Sequence, residues 1–383
     1  MARLGDICTI VSGSTPKSNV PEYWDGSIKW ITPAELDQGT YIINDSVRHI
    51  TELGVAKTGL KPFPQGTVIL SSRAPIGKTA IAGCEMYCNQ GFKNLICSDR
   101  ISPQYLYWFL TCNTEYLNSL GRGATFKEIS KEIVANIEIP LPAMEQQISV
   151  VEKFEKISEL LALRKEQLIK LDQLVKSRFI ELFGAPDTNP MHWQEAPLGD
   201  HLAVIGGYAF KSDGFLESGI PVLRIGNINS GHFLPVNMVY WQEDLSLQRY
   251  KMYPGDLVMS LTGTVGKDDY GNVCILDDDY DEYYLNQRNA KLDIAQTLNK
   301  HYLSEMLRFS SIKKRLTGIS RGVRQANISN KDILSLVVPI PPVDLQDQFA
   351  AFVEQTDKSK MAIQHSLDKL ELLKKSLIQE YFG

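Results

Sequence analysis

The decapeptide SSRAPIGKTA, residues 71–80, ends in Gly77, Lys78 and Thr79. That triplet closes the phosphate-cradling loop of nucleotide hydrolases. There Gly-x-x-x-x-Gly-Lys-Ser/Thr turns backbone N–H groups toward the phosphates and the hydroxyl ligates magnesium. Here Ser72 stands where the first glycine belongs, and Pro75 inside the loop has no N–H to donate. A second stretch, SLTGTVGK, has the same Gly-Lys ending but carries Leu261 at the first position and Asp268 after Lys267. Two copies that fail differently argue against ATP. What remains is a strand, a turn through small residues, and two cations, Arg73 and Lys78. Such a tip can neutralise DNA phosphates, and an arginine can also bond a guanine with both arms. The plainer reading is a solvated hairpin with ordinary surface charges.

Other residues suit the same chemistry. CNQGFKNL holds Asn89, Gln90 and Lys93; LNQRNAKL holds Asn286, Gln287, Arg288 and Lys291. Amide side chains can pair with adenine edges, or fix a turn through backbone bonds, and both readings stand. GRGATFK offers Arg122, Thr125 and Lys127, and ISRGVRQAN offers Arg321, Arg324, Gln325 and Asn327; glycine-rich basic loops suit close approach to a phosphate backbone. LRIGNI places Arg224 and Asn227 just past a strand. Lys17 and Lys211 in matching Lys-Ser pairs, with Thr262, Thr264 and Lys267 on the second tip, complete the candidate DNA contacts. Trp30, Trp108, Trp193 and Trp241 lie in apolar contexts and read as core.

Catalytic readings find little support. DNA methylation would need an Asn/Asp-Pro-Pro-Tyr/Phe motif, and the nearest string, NPMH at Asn189, has Met for the second Pro. GRGATF lacks the third glycine of a dinucleotide loop. LDDDYDEYY clusters Asp277, Asp278, Asp279, Asp281 and Glu282, but has no glycine at the sixth position of a calcium loop and no counterpart in the first half, so it reads as an exposed acidic loop. The six histidines do not repeat between the halves. Neither a metal nor a cofactor is expected.

Composition bounds the rest. The chain has 383 residues, 43% hydrophobic and 22% charged, a length comfortable for two domains. A net charge of −5 is unusual for a protein that binds DNA alone and without preference, so local basic patches and partners would have to supply the attraction. No run of about 18 apolar residues suggests a membrane span, and MARLGDICTI does not read as a signal peptide. Six scattered cysteines read as reduced thiols of a cytosolic protein.

The elements that must position these residues are written twice. LGDICTIVSGSTPKS from Leu4 aligns with LGDHLAVIGGYAFKS from Leu198, matching Gly13 with Gly207. PQGTVILSSRAPIGK then corresponds to YPGDLVMSLTGTVGK, and CNQGFKNL to LNQRNAKL. GRGATFKEISKEIVANIEIPLP corresponds to SRGVRQANISNKDILSLVVPIP, and LIKLDQLVKSRFIELFG to LDKLELLKKSLIQEYFG. The closing Phe183-Gly184 and Phe382-Gly383 lie 199 residues apart. Each half opens with short β-like runs and one amphipathic helical stretch, then runs for about 38 residues with almost no Gly or Pro. That run predicts a long helix of about 55 Å. Phe154, Leu161, Leu168 and Val175, with Leu171, mark its seam in the first copy; Ile363, Leu367, Leu370, Leu373 and Leu377 mark it in the second. A seam needs a partner: the other helix of the same chain, antiparallel, or a helix of another molecule.

The duplicated plan, the LGD opening, the SSRAPIGK and NQGF blocks and the IPLPAMEQQ entry to a long helix resemble the specificity subunit of type I restriction-modification systems, over nearly the whole chain. The second copy departs from the pattern with SLTGTVGK and NQRNAK. The resemblance implies an α+β protein with two similar globular α/β target recognition domains. They are separated by two long helices pairing as an antiparallel coiled coil, with a pseudo-twofold internal repeat. The expected boundaries are 1–143 for the first recognition domain and 144–184 for the first helix. The second domain follows over 185–343, entered through a linker at 184–194, and the second helix over 344–383. Each domain would read half of a bipartite double-stranded DNA site. The helix pair would set the spacing and dock two modification (methyltransferase) subunits, with restriction subunits possible in the larger complex. The chain itself would be a non-catalytic, cofactor-free cytoplasmic subunit. The competing readings are a protein–protein scaffold without DNA readout, and an enzyme binding S-adenosylmethionine or ATP.

Overall fold

The structure is a computed structural model that describes residues 1–37, 39–73, 75–123, 127–264, 267, 269–318 and 325–383, with Gln325 described in its backbone only. Two compact units result. One comprises Met1–Lys165 with His365–Gly383, the other Glu166–Gln364.

The first unit is built on a sheet in the order Cys8–Ser12, Phe92–Cys97, Val68–Ser71, Thr79–Ala82, Ile42–Ile43. Every residue of Val68–Ser71 and Thr79–Ala82 is buried, as central strands covered on both faces must be. A smaller sheet pairs Trp24–Ile31 with Arg48–Ile50 and, in parallel, with Tyr87–Cys88. Helix Pro103–Cys112, started by Ser102 and a proline in its first turn, covers the main sheet with its buried Tyr105–Leu110 face.

The second unit repeats this order. Leu202–Gly206, Asn289–Ile294, Leu257–Ser260 and Val273–Ile275 form its antiparallel sheet, and Ile220–Leu223 runs parallel to Tyr283–Leu285 in the smaller one. Lys300–Arg308 takes the place of Pro103–Cys112. The expected α+β duplication is therefore what the chain adopts.

Two 40-residue helices, Met144–Phe183 and Val343–Phe382, follow the globular parts. Within each unit the start of one packs on the end of the other, so they run antiparallel. In the first unit Phe154 stacks on Phe382, with ring centroids 5.5 Å apart, and Trp108 stacks on Phe154 at 5.4 Å. In the second, Phe183 and Phe179 meet Phe349 edge-on at 5.6 Å and 5.5 Å, and Phe179 stacks on Tyr302 at 5.3 Å. Each knot ties the helices into a globular core rather than only to each other.

The seam expectation needs correction at one position, Leu373. Phe154, Val175 and Leu367 are buried, whereas Leu161, Leu168, Leu171, Ile363, Leu370 and Leu377 are half-buried. Leu373 is 47% exposed and lies outside the seam. The adjacent Lys374 faces the core instead, its ammonium 5.6 Å from the Trp108 ring, where the stem packs and the charge meets the π face.

Candidate nucleic-acid interface

The tip that opened the sequence reading is a short hairpin. Val68 lies opposite Ile81 and Leu70 opposite Thr79. Ser71 closes it: its Oγ accepts from the Lys78 N–H at 2.9 Å and donates to the Pro75 carbonyl at 2.8 Å, while its own carbonyl accepts from the Gly77 N–H at 3.1 Å. Gly77 turns the chain at φ +97°, a conformation side chains disfavour. The Gly-Lys pair is thus turn chemistry. Lys78 lies half-buried, its Nζ donating to the Pro33 carbonyl at 3.2 Å.

In the second unit Ser260 plays the same part, but its partner is Asn272. The Asn272 N–H donates to Ser260 Oγ at 3.1 Å and the Gly271 N–H to its carbonyl at 2.8 Å, with Gly271 at φ +70°. Leu257 lies opposite Ile275 and Met259 opposite Val273. Gly271-Asn272 is therefore the counterpart of Gly77-Lys78, which corrects the match of Gly77-Lys78 with Gly266-Lys267. The clamped residues are 7 apart in one hairpin and 12 in the other. The buried strands set this register, and the second Gly-Lys string falls in the longer tip. Lys267 there is exposed, its N–H donating to the Thr264 carbonyl at 3.0 Å. Thr264 is exposed; its N–H donates to Asp269 at 2.8 Å, which holds that carboxyl below its usual range.

Beyond each hairpin, a second segment joins it in the same register. Ile129 donates its N–H to the Ser72 carbonyl at 2.9 Å, and Ile328 to the Leu261 carbonyl at 2.8 Å. This brings Arg73 opposite Glu128 in one unit and Thr262 opposite Asn327 in the other. Arg73 Nε donates to Glu128 Oε2 at 3.0 Å, and Lys93 Nζ reaches Glu128 Oε1 at 3.3 Å and Ser72 Oγ at 3.2 Å. Burial pushes the Glu128 carboxyl up, but the hydrogen bonds and charges of Arg73 and Lys93 outweigh it and hold the group below its ordinary value. Lys93 is only 6% exposed. It is turned inward and serves the carboxylate, not the surface. Arg122 is exposed; its backbone exchanges both hydrogen bonds with Glu128 at 3.0 Å. Exposed Lys127 lies beside the same bridge.

Both paired asparagines bond a turn. Asn89 Oδ1 accepts from the Gly91 N–H at 2.9 Å, and Asn286 Oδ1 from the Arg288 N–H at 3.2 Å. Against these turns the chain passes so close that a Cβ on Gly13 or Gly207 would lie 2.2 Å from the Asn89 or Asn286 carbonyl. Gln90 remains exposed and accepts from the Thr15 hydroxyl; Gln287 and Arg288 are exposed. Lys291 is tied to Asp256 at 2.8 Å.

Asn227 is buried too. Its amide donates to the Leu234 and Val236 carbonyls at 3.0 Å each and accepts from the Arg224 N–H at 2.9 Å, stapling its loop shut. The Arg224 guanidinium donates to the Asn237 carbonyl. Lys17, Lys211 and Asn327 are exposed, and Thr262 is half-buried with its hydroxyl lacking a hydrogen-bond partner among the described residues. Thr125, Arg321, Arg324 and the Gln325 side chain lie outside the described residues.

Three pieces of this scaffold escaped the sequence reading. Glu128 directly follows the candidate Lys127, and only its opposition to Arg73 reveals it. Gln147 and Gln346 look like polar positions at a helix start, yet both are fully buried. Gln147 accepts from the Ser102 N–H at 2.9 Å and donates to the Arg100 and Pro142 carbonyls at 3.0 Å and 2.9 Å. Gln346 repeats this with Asn299, Thr297 and Pro341 at 2.8, 3.4 and 2.8 Å. The 199-residue spacing of identical glutamines was the available signal.

The fold and the two tips define a duplicated two-unit protein with hairpin tips on antiparallel strand pairs and no metal-holding group among the described residues. Comparison with known proteins gives the family. The type I restriction modification DNA specificity domain matches twice, over residues 1–173 and 190–373, and the chain belongs to that family. It is 30% identical to the type I restriction enzyme MjaIX specificity subunit of Methanocaldococcus jannaschii, over 92% of this chain and 85% of the relative. It is 25% identical to the EcoKI specificity subunit of Escherichia coli, over 100% and 88% respectively. Among solved structures, the S subunit of a type I system from M. genitalium superposes with a TM-score of 0.56 at 16% identity, covering 100% of this chain and 95% of that one. A chain from a type I restriction-modification assembly study gives 0.61 at 20% identity, covering 100% and 96%. Both show a shared fold.

Proposed function

We propose that the globular parts of the two units, residues 1–143 and 185–343, each read one half of a bipartite double-stranded DNA site. The chain acts as the DNA-recognition subunit of a type I restriction-modification complex. The carrying observation is that one backbone bridge is built twice with different side chains upon it, Arg73 and Glu128 against Thr262 and Asn327. That is what two readers of different bases require, because readout lives in side chains while the scaffold sets their reach.

The two long helices hold the half-sites at a set separation and receive two methyltransferase subunits, with restriction subunits joining in the larger assembly. Chemistry resides in those partners, and the complex works on DNA in the cytoplasm. The partners also supply positive charge that a chain of net −5 does not. A scaffold without DNA readout has less in its favour, since the second unit closes the same bridge with Thr262 and Asn327 and needs no cation at the place of Arg73.

The test is sequencing of methylated DNA from cells expressing the chain with its methyltransferase partner. A bipartite motif with an unread spacer is expected. Inserting one helical turn into both long helices lengthens that spacer without changing the bases read. Continuous motifs, or half-sites altered by the insertion, overturn the reading.

A further inference from the structure

The Arg73 cluster is more specific than a patch of positive charge. Arg73 is 47% exposed, and its one hydrogen bond to the described residues uses Nε, at 3.0 Å from Glu128. Both Nη groups, the end of the fork, are left without protein partners among those residues. Glu128 cannot easily swing away, because its second oxygen is held by Lys93, itself buried among the sheet residues and anchored on Ser72. The result is an arginine held at Nε whose terminal edge meets no protein group among the described residues.

The second unit shows that this set is not needed to build the bridge. There the equivalent Thr262 and Asn327 make the same antiparallel pairing, and Ile328 bonds Leu261 as Ile129 bonds Ser72, without an ion pair. The three charged groups of the first unit are therefore an addition to a scaffold that closes without them. A carboxylate 3.0 Å from a guanidinium is also a poor companion for a phosphate, which it repels. It suits a neutral acceptor pair that must be met at a fixed angle.

We propose that Arg73 is a specificity-determining residue that reads a guanine, O6 and N7 from its two Nη groups, in the half-site of the first unit, and that Glu128 and Lys93 are its positioning residues. This rests on the half-site reading above. Guanine presents two adjacent major-groove acceptors that match the arginine fork, and such bidentate pairs discriminate strongly against other bases. Lysine, a point charge, can replace the charge of Arg73 but not its fork.

The test measures binding of the complex with its methyltransferase partner to duplexes in which each position of the wild-type motif is varied in turn. For Arg73→Lys, preference for one guanine in one half-site falls about 10- to 100-fold, while the other half-site is read as before. Glu128→Gln weakens the same preference without lowering affinity for unrelated DNA, since it removes a negative charge. The intact second half-site reports that each variant is folded. Retention of the full motif by both variants overturns the proposal, as does a uniform loss of affinity for all sequences, which marks a phosphate contact. A first half-site without guanine overturns it too. Absence of any sequence preference in the wild-type complex instead defeats the recognition reading itself.

Discussion

At one bridge the first unit sets Arg73 against Glu128, and at its counterpart the second sets Thr262 against Asn327. The strands beneath match residue for residue, from Val68 opposite Leu95 to Leu257 opposite Leu292. The tips above them do not, since one hairpin closes on Lys78 and the longer one on Asn272. Duplication has preserved what is buried and released what is exposed. A strand covered on both faces cannot slip register without turning its whole apolar set outward, whereas a tip can lengthen at little cost.

The deepest part of the comparison should break hardest. Phe382 and Phe183 occupy equivalent knots, 7% and 3% exposed. Either change to Ala should cost about 4 kcal/mol, as large aromatic deletions in cores do. Urea denaturation of the two variants should give matching losses; a cost at only one position would show that only one knot fastens the helices.

The hairpin register predicts a smaller asymmetry. Asn272 accepts from Lys313 Nζ at 2.7 Å, and Lys313 is 9% exposed. Asn272→Lys, which restores the residue of the first copy, should cost about 2 kcal/mol by forcing two ammoniums together. Lys78→Asn should cost less than about 1 kcal/mol, the worth of one hydrogen bond. Equal effects in thermal melts would return Lys267 to the place of Lys78.

The smallest effect concerns pH. The Glu128 carboxyl is held below its ordinary value in the fold. The unfolded chain therefore binds its proton first as pH falls through about 4.3. The stability contributed by Glu128 is present above that pH and is lost as pH drops through the lower folded value. Glu128→Gln should flatten this part of the stability–pH curve, and Asn327→Ala in the second unit should leave it unchanged. The effect is modest because the carboxylate side chain is 36% exposed and screened. A curve that Glu128→Gln leaves unaltered would separate the charge cluster from folding altogether.

Legibility in the sequence followed the kind of information each feature carries. The duplication, the two long helices and the rejection of a nucleotide loop could be read because they depend on order and local pattern. Gly77 and Ser72 sufficed to show that the loop lacked its first glycine and could serve as a turn. Lys93 and Asn227 looked like surface contacts, because a lysine beside a strand and an asparagine after one give no sign of which way they point. Leu373 matched a heptad position, yet Lys374 faces Trp108, since the helix packs on a globular core as well as on another helix.

What the chain of residues determined by itself is the repeated scaffold: matching runs of short strands, two long helices, and tips rich in cations and amides. Periodicity, glycine and proline act within a few residues of where they stand, so their consequences are local and readable. Which cations face outward was decided only in three dimensions. Glu128 meets Arg73 and Lys93 from 55 and 35 residues away, and a hydrogen bond over such a separation exists only after the sheet has closed around it.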